Sequence, residues 1–195
     1  MSPQVPQVPP LPQFPPLEPL LDVHRRLAGA GIEHALGASA LLHALGLEDR
    51  VGDWDVNTEA DHDVLGPLFA ELGPVRFGSS GIHADSKIQL FGGTVEVIVR
   101  MAIVAEGRIV RIPTIPRGAW QGVPVGSPEA WAVAYALLGR AEKSERLFRH
   151  LAAQGAHRAD VARMLEEPLP RALAERLAAL PLRAAAPGGA STDRL

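Results

Sequence analysis

Two short apolar segments carry acidic side chains with the spacing expected of β-strands. Asp53 and Asp55 flank Trp54, and Glu96 stands between two valines. Because alternate side chains of a strand share one face, Asp53 and Asp55 are predicted to point the same way. A neighbouring strand that carries Glu96 would bring a third carboxylate to that edge of the sheet.

Three clustered carboxylates repel one another unless a cation lies among them, and hard oxygen ligands suit Mg²⁺. Taken singly, the Asp-x-Asp pair also fits a solvated turn, and Glu96 fits the solvent face of an edge strand. The order of the segments favours a metal site, because a small-residue turn at 37–39 and an apolar stretch precede the paired acids. We therefore predict Asp53, Asp55 and Glu96 as metal ligands.

The remaining hydrophobic pattern predicts an α/β (α+β) chain, with a mixed sheet flanked by helices and a helical C-terminal part. A capping-box pattern at 58–61 predicts the start of a helix that runs to 72. Further helices are expected at 17–28, 39–45, 128–138, 142–153, 158–166 and 170–180. Strands are expected at 33–36, 53–57, 75–77, 87–90, 95–99 and 108–112. The Pro-rich stretch 113–128 is expected to connect the sheet to the C-terminal helices.

The same pattern divides the chain into four segments: a Pro-rich arm (1–16), an α/β domain (17–126), a helical region (127–183) and a flexible tail (184–195). The arm holds seven prolines, so it is predicted to be extended or disordered. It could contact another protein through an aromatic groove, or act as a solubilising or packing arm.

Charge and composition indicate a cytoplasmic protein. The net charge of −3 argues against a nucleic-acid coat, and the absence of cysteine excludes disulfides. Residues 1–138 carry 9 basic and 15 acidic residues, whereas residues 139–195 carry 10 and 7. No apolar run reaches the ~18 residues of a membrane span, and the N-terminus lacks the pattern of a signal peptide.

The chain resembles the nucleotidyltransferase superfamily, in particular small bacterial members related to aminoglycoside nucleotidyltransferases and AbiEii-type toxins. That pattern is a small-residue turn, a short helix, an acid-x-acid strand, a later strand with a third acid, and a Ser-x-Glu helix start. The segments that match it are 36–42, 50–56, 95–98, 124–129 and 138–144. Two positions depart from the pattern: Ala38 replaces Gly or Ser, and Ser144 replaces Asp.

The resemblance implies Mg²⁺-dependent transfer of a nucleoside monophosphate from an NTP to an acceptor hydroxyl. Asp53, Asp55 and Glu96 are the implied catalytic and metal-binding residues, with Glu96 either a ligand of a second ion or a general base. The implied nucleotide-binding residues are Gly37, Ala38, Ser39 and Lys87. The acceptor is left open between a small molecule, a protein and RNA.

Two alternatives remain open at this point. A protein with the same fold could serve as a non-catalytic binding or toxin–antitoxin module, which the substitutions at Ala38 and Ser144 favour. The Asp61-His62-Asp63 segment also contains the His-Asp pair of metal-dependent phosphohydrolases.

Overall fold

The computed structural model describes residues 14–73, 76–78 and 86–183. The described helices are α1 (Leu17–Gly29), α2 (Ala38–Ala44), α3 (His62–Phe69), α4 (Pro128–Leu137), α5 (Ala141–Gln154), α6 (Arg158–Leu165) and α7 (Arg171–Ala178). The described strands are β1 (His34–Leu36), β2 (Trp54–Thr58), β3 (Arg76–Gly78), β4 (Ser86–Leu90), β5 (Val95–Val99), β6 (Ala102–Ala105), β7 (Arg108–Arg111), β8 (Pro116–Trp120) and β9 (Val123–Gly126).

Most of these strands form one mixed sheet in the order β3-β4-β5-β2-β1-β9-β8. The strand pairs β2–β5 and β1–β9 are parallel, and the other neighbours are antiparallel. β6 and β7 form a separate hairpin. The predicted fold class, a mixed sheet with helices and a C-terminal helical part, is confirmed.

The centre of the sheet fixes the relative positions of the acidic segments. β2 and β5 run parallel, and Asp55 lies directly opposite Glu96. β4 and β5 form an antiparallel hairpin. Its connection contains Gly92 and Gly93, and both adopt positive φ angles, which glycine tolerates best. As a result, β4 lies beside β5 on the side away from β2.

Helix α4 connects the sheet to the C-terminal helices. Apart from Glu129 its side chains are almost all apolar, which is typical of a buried helix, and every residue from Pro128 to Tyr135 is buried. The Ser127 hydroxyl accepts a hydrogen bond from the Ala130 N–H at 3.3 Å, so Ser127 is the N-cap of α4. α4 packs against α5, α6 and α7, and its buried side chains join a single core cluster with those of the sheet.

Two buried carboxylates make hydrogen bonds within the helical part and between that part and the sheet. Glu129 accepts hydrogen bonds from the Ser127 hydroxyl at 2.8 Å and from the His157 N–H at 2.6 Å. Asp160 is 1% exposed and accepts two hydrogen bonds from the Arg117 guanidinium, which is supplied by β8. Both acids are thus engaged by neighbouring groups, as buried carboxylates require.

The capping box predicted at 58–61 is wrong. Thr58 ends β2, where its hydroxyl donates to the Glu33 carbonyl oxygen at 2.8 Å, and α3 begins at His62 after Asp61. The Thr58 hydroxyl therefore serves the sheet and is not a helix cap.

The Pro-rich stretch 113–128 contains two strands that the sequence analysis missed, and β6 was missed as well. Prolines are tolerated at a sheet edge because the missing N–H is not needed there. β8 lies at the edge of the sheet, and its register is irregular between Pro116 and Ala119. The proposed arm and tail lie largely outside the described residues, and among those described no helix has the length and apolar character needed to cross a bilayer.

Candidate active site

The structure brings together the three acidic residues singled out in the sequence. Each of Asp53, Asp55 and Glu96 offers a carboxylate oxygen, and these oxygens all lie within 4.8 Å of one another. Asp53 precedes β2, Asp55 lies within it, and Glu96 lies opposite on β5. Within the described ranges, this acidic trio is the one group of three His, Cys, Asp or Glu side chains close enough to hold a metal ion.

The acidic trio carries negative charge that its surroundings only partly neutralise. Burial and the charge of Asp53 raise the pKa of Asp55 to about 7. Burial and the charge of Glu96 raise the pKa of Asp53 above its ordinary value. Lys87 and Arg140 oppose both increases. A divalent cation would remove the repulsion, so the charge of the site fits a metal ion as well as its oxygen donors do.

Glu96 is held by two side chains from β4. Lys87 donates from Nζ to Oε2 at 2.6 Å, and Gln89 donates from Nε2 to Oε1 at 2.8 Å. Gln89 lies directly opposite Glu96 in the β4–β5 pairing, so the sheet register creates this arrangement. Lys87, predicted from the sequence to contact nucleotide, therefore lies at the acidic trio in this structure.

The turn at 37–39 lies beside Asp55. The Gly37 N–H donates to the Asp55 carbonyl oxygen at 2.9 Å. A Cβ atom at Gly37 would lie 2.1 Å from Trp131 Cζ2 and 2.6 Å from Asn57 Oδ1, so glycine is required here by packing. The resemblance implied Gly37 only as a nucleotide-binding residue, and the packing against Trp131 is a second reason for glycine at this position.

The two residues after Gly37 begin α2. Ala38 has a φ angle of +44°, a left-handed conformation that is unfavourable for residues with a Cβ atom. Ser39 follows on the first turn of α2 and is partly buried. The departure from the family pattern at Ala38 therefore falls on a residue under backbone strain.

Sequence reasoning missed Tyr135 of α4. Its side chain is buried, and its hydroxyl has no hydrogen-bond partner among the described residues. Burial and the charge of Asp55 raise the pKa of this phenol, so it stays neutral. No sequence pattern pointed to Tyr135, because α4 has no separate polar and apolar faces from which a site residue could be recognised.

The Asp61-His62-Asp63 segment, which suggested a metal-dependent phosphohydrolase, does not form a metal site in the described part of the chain. Asp61 forms an ion pair with Arg100 at 2.5 Å, and neither Asp61 nor Asp63 joins a group of three possible ligands. Trp120 of β8 packs with Phe14 and Trp54 at ring-centroid distances of 6.1 and 5.6 Å.

Comparison with solved structures shows the fold. A candidate nucleotidyltransferase from Thermotoga maritima is similar with a TM-score of 0.51 and 26% identity, over 69% of this chain and 91% of that one. The antibiotic-resistance factor ANT(2'')-Ia, an aminoglycoside nucleotidyltransferase, is similar with a TM-score of 0.50 and 16% identity, over 70% and 84% of the two chains. No protein-family model and no curated protein matches the sequence. The predicted resemblance is confirmed: this chain has the fold of the nucleotidyltransferase superfamily.

Proposed function

We propose that this protein is a Mg²⁺-dependent nucleotidyltransferase that transfers a nucleoside monophosphate from an NTP to an acceptor hydroxyl. The observation that carries the proposal is the acidic trio, whose carboxylate oxygens lie within 4.8 Å of one another, on a nucleotidyltransferase fold. The acceptor class stays open between a small molecule, a protein and RNA.

Asp53, Asp55 and Glu96 would hold the metal. Their donor atoms are all oxygens. Burial, and after it the repulsion between the carboxylates, raises the pKa values of Asp53 and Asp55, and a bound cation would relieve that repulsion. Mg²⁺ at this position would polarise the phosphate oxygens and stabilise the charge that develops during transfer.

In the proposed reaction, the acceptor oxygen forms a bond to the α-phosphorus while the bond from the α-phosphorus to the bridging oxygen breaks. Pyrophosphate leaves, and the acceptor proton passes to a carboxylate of the site. Glu96 is proposed to act on this acceptor side, as a general base or as a metal ligand.

The phosphates are proposed to lie at the turn beside Asp55. Because the Gly37 N–H is already bonded to the Asp55 carbonyl oxygen, the donors would be the N–H groups of Ala38 and Ser39 and the Ser39 hydroxyl. The first N–H groups of a helix have no partner within it, which suits an anion. Lys87 would add a positive charge.

A second candidate is a non-catalytic protein with the same fold. Two observations favour it: Ala38 is held at a strained φ angle, and both carboxylate oxygens of Glu96 are occupied by Lys87 and Gln89. Such a protein would bind Mg²⁺ and nucleotide without transferring the nucleotidyl group.

A transfer assay separates the two candidates. Wild-type protein is incubated with Mg²⁺, each α-labelled NTP and pools of small-molecule, protein and RNA acceptors. We expect label transfer by the wild type and a loss on the order of 10²-fold in rate for Glu96→Gln. Glu106→Gln, at a side chain 64% exposed, is the control and should retain full activity. Nucleotide binding by the wild type without transfer to any pool would favour the non-catalytic candidate.

A further inference from the structure

Lys87 is placed to neutralise the acidic trio as a whole. Its Nζ lies 2.6 Å from Glu96 Oε2, and the two side chains are only 22% and 13% exposed. Its charge also opposes the raised pKa values of Asp53 and Asp55. Lys87, with a smaller contribution from Arg140, thus offsets only part of the charge of the three carboxylates.

The Lys87–Glu96 contact opposes binding of a divalent cation alone. A cation that takes Glu96 as a ligand competes with the ammonium group for this carboxylate, because two cations close together repel each other. An ammonium group on a flexible four-carbon stem can move, unlike a backbone donor. When the cation arrives with a triphosphate, the displaced ammonium group gains phosphate oxygens as new partners.

We infer that the Lys87 ammonium group is a built-in counter-ion of the acidic trio, and that it makes the site bind the divalent cation and the nucleotide together. In the empty site it holds Glu96, and in the loaded site it binds the triphosphate. The inference rests on the proposed function, because it assumes that the acidic trio binds metal and nucleotide. It adds that Mg²⁺ alone binds weakly. A bound nucleotide then strengthens Mg²⁺ binding, because its triphosphate takes up the Lys87 ammonium group that competes with the cation for Glu96.

Acylation of lysines tests this directly in the wild-type protein. The chain contains two lysines, Lys87 and Lys143, so peptide mass spectrometry can follow each with a small amine-reactive ester. Lys143 pairs with Glu48 at 3.0 Å and serves as the internal reference. We expect the Lys87/Lys143 labelling ratio to rise severalfold in saturating Mg²⁺ and to fall below its starting value when an NTP is added. A ratio that stays constant while calorimetry shows metal binding would overturn the inference.

The variant Lys87→Met gives a second test, in which the affinity for Mg²⁺ alone and the affinity for Mg²⁺ with NTP are expected to change in opposite directions. By calorimetry, we expect Mg²⁺ alone to bind about tenfold more tightly than to the wild type, because the competitor is gone. Mg²⁺ with NTP should bind about tenfold more weakly, because a phosphate partner is gone. Arg163→Met, in the α6 surface pair with Glu166, removes the same charge elsewhere and should change neither affinity. Weakening of both affinities would contradict the counter-ion role. Should Lys87→Met not fold, the labelling experiment decides alone.

The double variant Asp53→Asn/Asp55→Asn separates failure of this inference from failure of the proposed function. If that variant keeps wild-type affinity for Mg²⁺ and NTP, the proposed site is wrong and the role of Lys87 falls with it. If the variant loses binding but the Lys87/Lys143 labelling ratio of the wild type does not change on addition of metal or nucleotide, only the counter-ion role is wrong.

Discussion

The N–H of Gly37 donates to the carbonyl oxygen of Asp55 at 2.9 Å, and this bond joins the small-residue turn to the strand of paired acids. On its other side, the Gly37 backbone contacts the Trp131 ring so closely that a Cβ atom would overlap with it. The position of the turn beside the acidic trio therefore depends on α4 as well as on the sheet.

Gly37→Ala should destabilise the protein. A Cβ atom 2.1 Å from Trp131 Cζ2 forces either the ring or the turn to move, at a cost of about 2–4 kcal/mol in free energy of unfolding. Urea unfolding followed by tryptophan fluorescence measures the change. Gly66→Ala, in α3 with no atom within 4 Å of the added Cβ, should leave stability equal or slightly higher. Equal stability of both variants would contradict the packing role of Gly37.

Ala38→Gly should stabilise the protein by about 0.5–1 kcal/mol. The φ angle of +44° costs about 1–2 kcal/mol for an L-residue with a Cβ atom, and glycine offsets part of the gain through greater freedom in the unfolded chain. Ala44→Gly, at the end of the same helix, should instead lower stability by about 0.5–1 kcal/mol. If the two substitutions had the same effect, Ala38 would not be strained.

The metal-free protein should lose stability as pH rises from about 4 to about 7. The pKa of Asp55 is about 7 in the folded protein against an ordinary value of 3.8, so the folded state binds more protons across this window. Asp55→Asn should match the wild type near pH 4 and exceed it by about 1–2 kcal/mol at pH 8, after allowance for partial solvent exposure.

Urea unfolding with chelator present, at pH 4, 6 and 8, checks this prediction. The pKa values of His34 and His150 are lowered by burial, which gives a slope of opposite sign near pH 6.5. That slope is common to wild type and variant and cancels in their difference. Asp63→Asn, at an exposed position, is the control. A wild-type–variant difference that does not change with pH would show that folding does not raise the pKa of Asp55.

Arg117→Ala should cost about 3–5 kcal/mol of stability. It leaves Asp160, which is 1% exposed, as a buried carboxylate without its guanidinium partner. Arg163→Ala breaks an exposed ion pair of α6 and should change stability by less than about 0.5 kcal/mol. Thermal and urea unfolding of both variants make the comparison, and a loss below about 1 kcal/mol for Arg117→Ala would be contrary to the expected result.

Much of the fold follows from sequence pattern. Strand β5 was predicted with the observed bounds because β-branched apolar residues occupy every position except Glu96, and α4 was located by its Ser-x-Glu start at Ser127. The strands β8 and β9 were missed because proline argues against a strand unless an edge position or an irregular register is known. That knowledge requires the tertiary fold.

The candidate site was predicted only in part. Alternation along β2 places Asp53 and Asp55 on a common side, but the approach of Glu96 depends on the parallel pairing of β2 with β5. The contacts of Glu96 with Lys87 and Gln89 depend further on the β4–β5 register. Periodicity within one segment carries no information about the register between two segments.

Calorimetric titration with Mg²⁺ and each of ATP, GTP, CTP and UTP, on the wild type and on Asp53→Asn/Asp55→Asn, tests the proposed site most directly. The carboxylates of Asp53 and Asp55 are proposed to hold the cation that accompanies the triphosphate, so at least one Mg²⁺–NTP pair should bind the wild type. The double variant should stay folded and bind that pair at least about 100-fold more weakly. Equal affinity of the wild type and the double variant would show that the acidic trio is not the nucleotide site.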